Sequence, residues 1–209
     1  ETAIRQAYAN IRLFHEQQWA QEKRVETMPG VVCWRKSVAI EKVGLYIPGG
    51  TAPLFSTVLM LGVPAQLAGC AEIVLCTPVQ EDKKVHPAVL FAASLCGIRQ
   101  IFKIGGAQAI GAMAYGTSTV PRVWKIFGPG NAWVAEAKRQ LYGVVGIDMV
   151  AGPSEILVVA DAENDPDWIA ADLLSQAEHD PTSQSILITD DAGFADRVSA
   201  AVECKLGTL

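Results

Sequence analysis

The order of apolar and polar positions along the chain predicts a repeated alternation of strands and helices. Short runs rich in Val, Ile and Leu are each followed by a turn and then by a segment with apolar residues at helical spacing. This alternation favours a parallel sheet with helices on its faces. The predicted strands cover residues 43–47, 72–76, 101–104, 123–127 and 144–149, and the predicted helices cover residues 57–67, 87–95, 108–115 and 132–141.

Weaker patterns of the same kind flank this series. Helical spacing near the start of the chain predicts an N-terminal helix, and a β-rich stretch follows it. After residue 150 a shorter alternation contains only two strands, too few for a stable domain. The predicted segments are a helix over residues 3–19, a β-rich stretch over residues 30–40, strands over residues 156–159 and 185–188, and helices over residues 168–178 and 192–202.

These patterns predict an α/β fold in three regions. Residues 1–42 form a helix and a β-rich lead-in, and residues 43–150 form a Rossmann-like parallel sheet with flanking helices. Residues 151–209 begin a second α/β domain that is incomplete.

Composition excludes several classes of function. The 209 residues are 50% hydrophobic and carry a net charge of −5, so a substantial core is expected and a nucleic-acid partner is not. No apolar run is long enough to cross a membrane, and no secretion leader is visible. Five cysteines without a CxxC pair indicate reduced thiols and a cytoplasmic setting, with Cys76 and Cys96 at core positions.

Three predicted strands run into glycine-rich turns. In a parallel sheet these turns share one edge, where backbone amides and helix N-termini can face an anionic ligand. The GxGxxG dinucleotide fingerprint is absent, and a single tight turn also needs glycine for its geometry. The residues therefore indicate a phosphate-bearing or other anionic ligand, but they do not identify which one. The turns are Pro48-Gly49-Gly50, Gly105-Gly106 and Gly128-Pro129-Gly130.

A candidate pair of metal ligands lies at the end of the helix that Asp165 and Pro166 open. Gln176 and His179 are three residues apart, so their side chains project from one helical face. An imidazole and an amide oxygen can both bind a divalent cation. The alternative is a solvated His near a helix C-terminus, and two ligands do not close a zinc site.

The segment from Ile147 to Asp180 resembles the signature of histidinol dehydrogenases. The matching residues are Ile147, Asp148, AGPSE at residues 151–155 and DLLSQAEH at residues 172–179. In addition, GLYIPGG, GGAQAI and FGPGN are similar to that family's cofactor-side loops. The resemblance implies two incomplete Rossmann-like domains in a cytoplasmic homodimer. It also implies NAD-dependent, zinc-requiring oxidation of L-histidinol through histidinal to L-histidine, the last steps of histidine biosynthesis.

The same resemblance implies roles for individual residues. Tyr46, Gln108 and Asn131 would contact NAD, and Ser154, Gln176 and His179 would contact L-histidinol, with Gln176 and His179 also holding zinc. The family's proton-transfer Glu-His pair and its other zinc ligands match nothing in this sequence, so no catalytic residue is assigned. We therefore expect an interior piece of a longer enzyme that is inactive alone.

Two other functions compete with this one. An unrelated metal-dependent hydrolase would use Glu178 and His179, but it needs further ligands and the chain has three His residues. A non-catalytic nucleotide-binding module would bind NAD without metal and without turnover.

Overall fold

A computed structural model describes residues 1–49, 53–151, 154–178 and 183–207. The chain divides into two compact units, Glu1–Val150 and Ala151–Leu209. The elements of the first unit are α1 (Thr2–Glu16), β1 (Arg24–Met28), β2 (Val31–Trp34), β3 (Lys42–Tyr46), α2 (Phe55–Leu67), β4 (Glu72–Thr77), α3 (Pro87–Leu95), β5 (Gln100–Lys103), α4 (Gly106–Tyr115), β6 (Lys125–Phe127), α5 (Ala132–Leu141) and β7 (Gly146–Ile147). Those of the second are β8 (Glu155–Val159), α6 (Pro166–Ala177), β9 (Gln184–Ile188) and α7 (Ala192–Leu206).

The first unit is built on a parallel five-stranded sheet in the order β5-β4-β3-β6-β7. The predicted α/β fold with parallel neighbouring strands is therefore confirmed. The chain proceeds outward from β3 through β4 to β5, and then returns to the other side of β3 for β6 and β7. The strand order thus reverses between β3 and β6, which is where ligands of open α/β sheets bind.

Apolar residues cover both faces of this sheet. Along β3, Leu45 points into the core cluster that contains residues of α2 and α3, and Tyr46 points into the opposite cluster that contains residues of α4. The apolar side of α1 packs on the first of these clusters through Ile4, Tyr8 and Ile11. Burial on both faces explains why the strands read as continuous hydrophobic runs.

Two predicted strands are shorter in the structure. β6 begins at Lys125 rather than at residue 123, because the Val123 N–H donates to the Met113 carbonyl of α4 at 2.9 Å. β7 covers Gly146–Ile147 and not residues 144–149. There the N–H groups of residues 144 and 145 both donate back to the Leu141 carbonyl and close a turn.

The β-rich lead-in is an antiparallel hairpin of β1 and β2. The prediction for residues 30–40 is therefore only partly right, since β1 precedes it and residues 35–40 form no strand. Gly30 adopts a φ of +82° at the turn, and its N–H donates to the Glu26 carboxylate at 2.8 Å. Every residue of both strands is exposed.

The second unit pairs β8 with β9 in parallel and packs α6 and α7 on one face of the pair. Phe194 and Val198 of α7 are almost completely buried there with Ile169 and Leu173 of α6. The other face of the two strands carries four exposed apolar residues, which are Leu157, Val159, Ile186 and Ile188.

Within the described ranges, no helix combines the length and the apolar character needed to cross a membrane.

Candidate cofactor site at the switch point of the sheet

The turns after β3 and β6 lie side by side at the switch point. Leu45 pairs with Phe127 in the parallel ladder, so both strands leave the sheet at the same level. Gly128 follows immediately, with a φ of +129°, and a Cβ there would lie 2.0 Å from the Tyr46 carbonyl oxygen. Only glycine allows the two backbones to approach this closely.

The turns after β3 and β5 also converge on one residue. Pro78 follows β4, and its ring fills the space where Gly49 and Gly105 lack side chains. A Cβ on Gly49 would lie 2.5 Å from Pro78 Cγ, and one on Gly105 would lie 2.7 Å from Pro78 Cβ. The predicted common edge for the glycine turns is therefore confirmed.

Tyr46 connects two of these turns. Its side chain is 4% exposed, and its hydroxyl oxygen accepts a hydrogen bond from the Gly106 N–H at 2.9 Å. This contact fixes the start of α4 relative to the end of β3. Gln108 lies exposed in the first turn of α4, close enough to Gly106 that a Cβ on that glycine would be 2.8 Å from the Gln108 Oε1 atom.

Asn131 is the N-cap of α5. Its Oδ1 atom accepts a hydrogen bond from the Val134 N–H at 3.2 Å, which leaves the amide N–H₂ group as the donor for a ligand. The side chain is exposed at the carboxyl edge of the sheet. Tyr46, Gln108 and Asn131 therefore all lie in or beside the turns on one edge, where α4 and α5 begin.

An ion pair between the buried Lys138 and the more exposed Asp148 holds the turn after β6, and the sequence did not predict it. Lys138 of α5 is 3% exposed; its Nζ atom donates to the Gly128 carbonyl at 2.9 Å and is ion-paired with Asp148. The other carboxylate oxygen of Asp148 accepts from the Gly128 N–H at 2.8 Å. The feature of the sequence that could have indicated a buried Lys138 is its position four residues after Val134, on the apolar face of α5.

Two of the predicted substrate and metal residues, Ser154 and Gln176, lie among the described residues of the second unit. Gln176 is partly buried, and its Nε2 atom donates to the Ser183 hydroxyl at 3.3 Å. Ser154 immediately precedes β8 and is exposed, and its carbonyl oxygen accepts a hydrogen bond from the Gln184 N–H at 3.3 Å. The predicted ligand His179 lies outside the described residues. Among the residues that are described, no three His, Cys, Asp or Glu side chains cluster as a metal site would require.

Cys76 and Cys96 lie in the core, as predicted. Burial raises the pKa of the Cys76 thiol to about 12 and that of the Cys96 thiol to about 11. Both side chains are buried in the first unit, so neither offers a thiolate at neutral pH.

Comparison with known proteins identifies the family. The model of the family described as histidinol dehydrogenase matches residues 1–209. The chain belongs to the histidinol dehydrogenase family. It is 59% identical to a histidinol dehydrogenase of Bacteroides fragilis, covering 100% of this chain and 49% of that protein. It is also 59% identical to the histidinol dehydrogenase of Photobacterium profundum, covering 99% of this chain and 46% of that protein.

Solved structures agree with this assignment. The crystal structure of histidinol dehydrogenase from Elizabethkingia anophelis matches with a TM-score of 0.95 and 53% identity, covering 100% of this chain and 48% of that one. A propionaldehyde dehydrogenase mutant from Clostridium phytofermentans shares the fold, with a TM-score of 0.53, 16% identity and coverage of 92% and 44%. The chain thus spans about half the length of the family members it matches. Family membership contradicts the alternative of an unrelated hydrolase.

Proposed function

We propose that the protein carrying this chain oxidises L-histidinol through histidinal to L-histidine, with NAD as the oxidant and zinc as a required metal. The observation that carries the proposal is 59% identity to a histidinol dehydrogenase over the whole chain. We further propose a cytoplasmic homodimer. The four-electron oxidation consumes one water and two NAD and releases L-histidine, two NADH and three protons.

The first unit has the features expected of the NAD side of the site. When bound, NAD would accept a hydride in each of the two oxidations. Gly128 brings backbone within reach of a ligand at the switch point, and the N-terminus of α5 favours a pyrophosphate there. We propose that Gln108 and Asn131 donate to the cofactor, while Tyr46 contacts it from the floor of the site and keeps the start of α4 in place.

The second unit would contribute to the substrate side. We propose that Ser154 borders the substrate and that Gln176 and His179 bind both zinc and the substrate. The amide N–H₂ group of Gln176 donates a hydrogen bond to the Ser183 hydroxyl, so the amide oxygen is the atom that a cation would use. These residues fall short of the three protein ligands of a catalytic zinc, and the others would come from outside this chain.

The test is a stoichiometric assay on the whole protein that carries this sequence. NADH absorbance is followed with limiting L-histidinol, before and after zinc removal by a chelator. We expect two NADH per histidinol, loss of activity without metal and recovery on adding zinc. NAD binding without any turnover would instead support the non-catalytic module, and a single NADH per substrate would contradict the two-step oxidation.

A further inference from the structure

We propose that Lys138 and Asp148 are positioning residues for the cofactor, which act by fixing the backbone of Gly128 at the switch point. The inference rests on the proposed function and extends it to two residues outside the proposed cofactor and substrate contacts. Both polar backbone groups of Gly128 are held by this one pair: the carbonyl by Lys138 and the N–H by Asp148.

The position of each residue follows from its element. Side chains of an α-helix lean toward its N-terminus, so Lys138 near the end of α5 reaches back along the helix to the turn that precedes it. Asp148 directly follows β7, which is the parallel neighbour of β6, and the Asp148 N–H donates to the Ile126 carbonyl at 3.1 Å. The carboxylate is thereby placed beside the first residue after β6.

The burial of Lys138 is hard to explain by stability alone. An ammonium group loses its hydration in a site that is 3% exposed, and an apolar side chain of similar size could fill the same space beside Val134. The charged pair instead restrains the orientation of the groups it binds, because charge-assisted hydrogen bonds have defined geometry. The pair thereby orients the backbone of Gly128, which lies so close to the Tyr46 backbone that there is no room for a Cβ.

The turn that is held in this way leads directly to Asn131. The N-cap of α5 follows Gly128 closely along the chain, so a change in the Gly128 backbone would displace the Asn131 side chain and the helix N-terminus together. A loosened turn should therefore weaken NAD binding and leave the binding of L-histidinol nearly unchanged. Loss of overall stability would affect both ligands alike.

The experiment uses four variants of the whole protein: Lys138→Met, Lys138→Arg, Asp148→Asn and, as a control, Arg139→Met. Arg139 is the next residue of α5 and pairs with Glu136 at the exposed surface. The KM for NAD, the KM for L-histidinol and kcat are measured, with hydrogen exchange of the Gly128 amide followed separately without ligands.

We expect Lys138→Met to raise the KM for NAD about tenfold and to speed exchange at Gly128 by a similar factor, with the KM for L-histidinol changed less than about twofold. Lys138→Arg keeps a charged donor, so its KM for NAD should lie within about threefold of the wild-type value. Arg139→Met should leave both KM values and kcat unchanged. Equal increases in both KM values, or an unchanged KM for NAD, would overturn the proposal.

Two further outcomes are also decisive. If Lys138→Met does not fold, Asp148→Asn tests the proposal by the same split between the two KM values, because it removes the ion pair and keeps an acceptor for Gly128. If the wild-type protein oxidises no L-histidinol, the proposed function fails, and calorimetric NAD binding by the variants decides the positioning role. Unaltered NAD affinity in all of them would then refute it.

Discussion

At the scale of single residues, Gly128 is the most constrained position of the candidate site. It has a positive φ, and a Cβ would collide with the Tyr46 backbone rather than with a flexible side chain. Gly143 is a matched comparison, because its φ is +100° and a Cβ there would meet nothing within 4 Å. The two positions separate the cost of backbone strain from the cost of a steric clash.

We therefore expect Gly143→Ala to lower the free energy of unfolding by about 1–2 kcal/mol, which is the cost of a positive φ. Gly128→Ala should lower it by at least about 1 kcal/mol more, because the two strand ends must move apart. Urea unfolding followed by circular dichroism measures both. Similar losses for the two variants would show that the turn after β6 is not tightly packed.

Asn131 combines two roles that mutation can separate. Replacing it with Ala removes both the helix cap and the proposed hydrogen bond to NAD, and should raise the KM for NAD severalfold to about tenfold, more than the KM for L-histidinol. Asn131→Ser keeps a capping oxygen but loses the amide. If the amide binds NAD, the Ser variant should keep its stability and still show the raised KM. A normal KM in the Ser variant would mean that Asn131 acts only as a cap.

The cysteines should differ in reactivity according to burial. Cys33 and Cys204 are exposed, and Cys70 is partly buried with a raised pKa. At pH 8 a thiol with a pKa of about 12 is ionised to about one part in ten thousand. With an aromatic disulfide reagent, we expect two thiols to react quickly, Cys70 slowly, and Cys76 and Cys96 only in denaturant. Rapid reaction of all five would contradict the packing of the first unit.

At the scale of elements, the sequence predicted most helices and strands because their signals are local. Helix α3 and helix α5 begin and end as predicted, since Pro87 and Asn131 are strong start signals. The start of β6 was predicted wrongly because a non-local hydrogen bond decides it. The Val123 N–H turns to α4, and no pattern within residues 123–127 indicates that partner.

The exposed face of β8 and β9 should promote association of the isolated chain. Val159 and Ile188 are opposite each other in the ladder and are 73% and 52% exposed. We expect the double variant Val159→Lys with Ile188→Glu to reduce self-association in sedimentation velocity, while unfolding free energy changes by about 0.5 kcal/mol or less. Leu13→Lys in α1, at a residue that is 64% exposed, is the control. Unchanged association in the double variant would locate the contact elsewhere.

At the scale of the whole molecule, the sequence predicted the parallel sheet and its glycine-lined edge, but not how that edge is held. The strand–helix rhythm requires the turns to share an edge, so three glycine turns could be placed together from the sequence. The bond from Gly106 to Tyr46 spans 60 positions, and the contact of Gly49 and Gly105 with Pro78 has no local signature. Both depend on tertiary packing.

We propose that this chain holds the cofactor side of a histidinol dehydrogenase site and only part of its zinc site. The most direct test is an NADH absorbance assay on the purified 209-residue chain with NAD, added zinc and L-histidinol. We predict no turnover, because the two zinc ligands that we propose, Gln176 and His179, are fewer than the three or so that a catalytic zinc draws from the protein. Turnover that is abolished by His179→Asn would contradict this account and show that the chain contains a complete site.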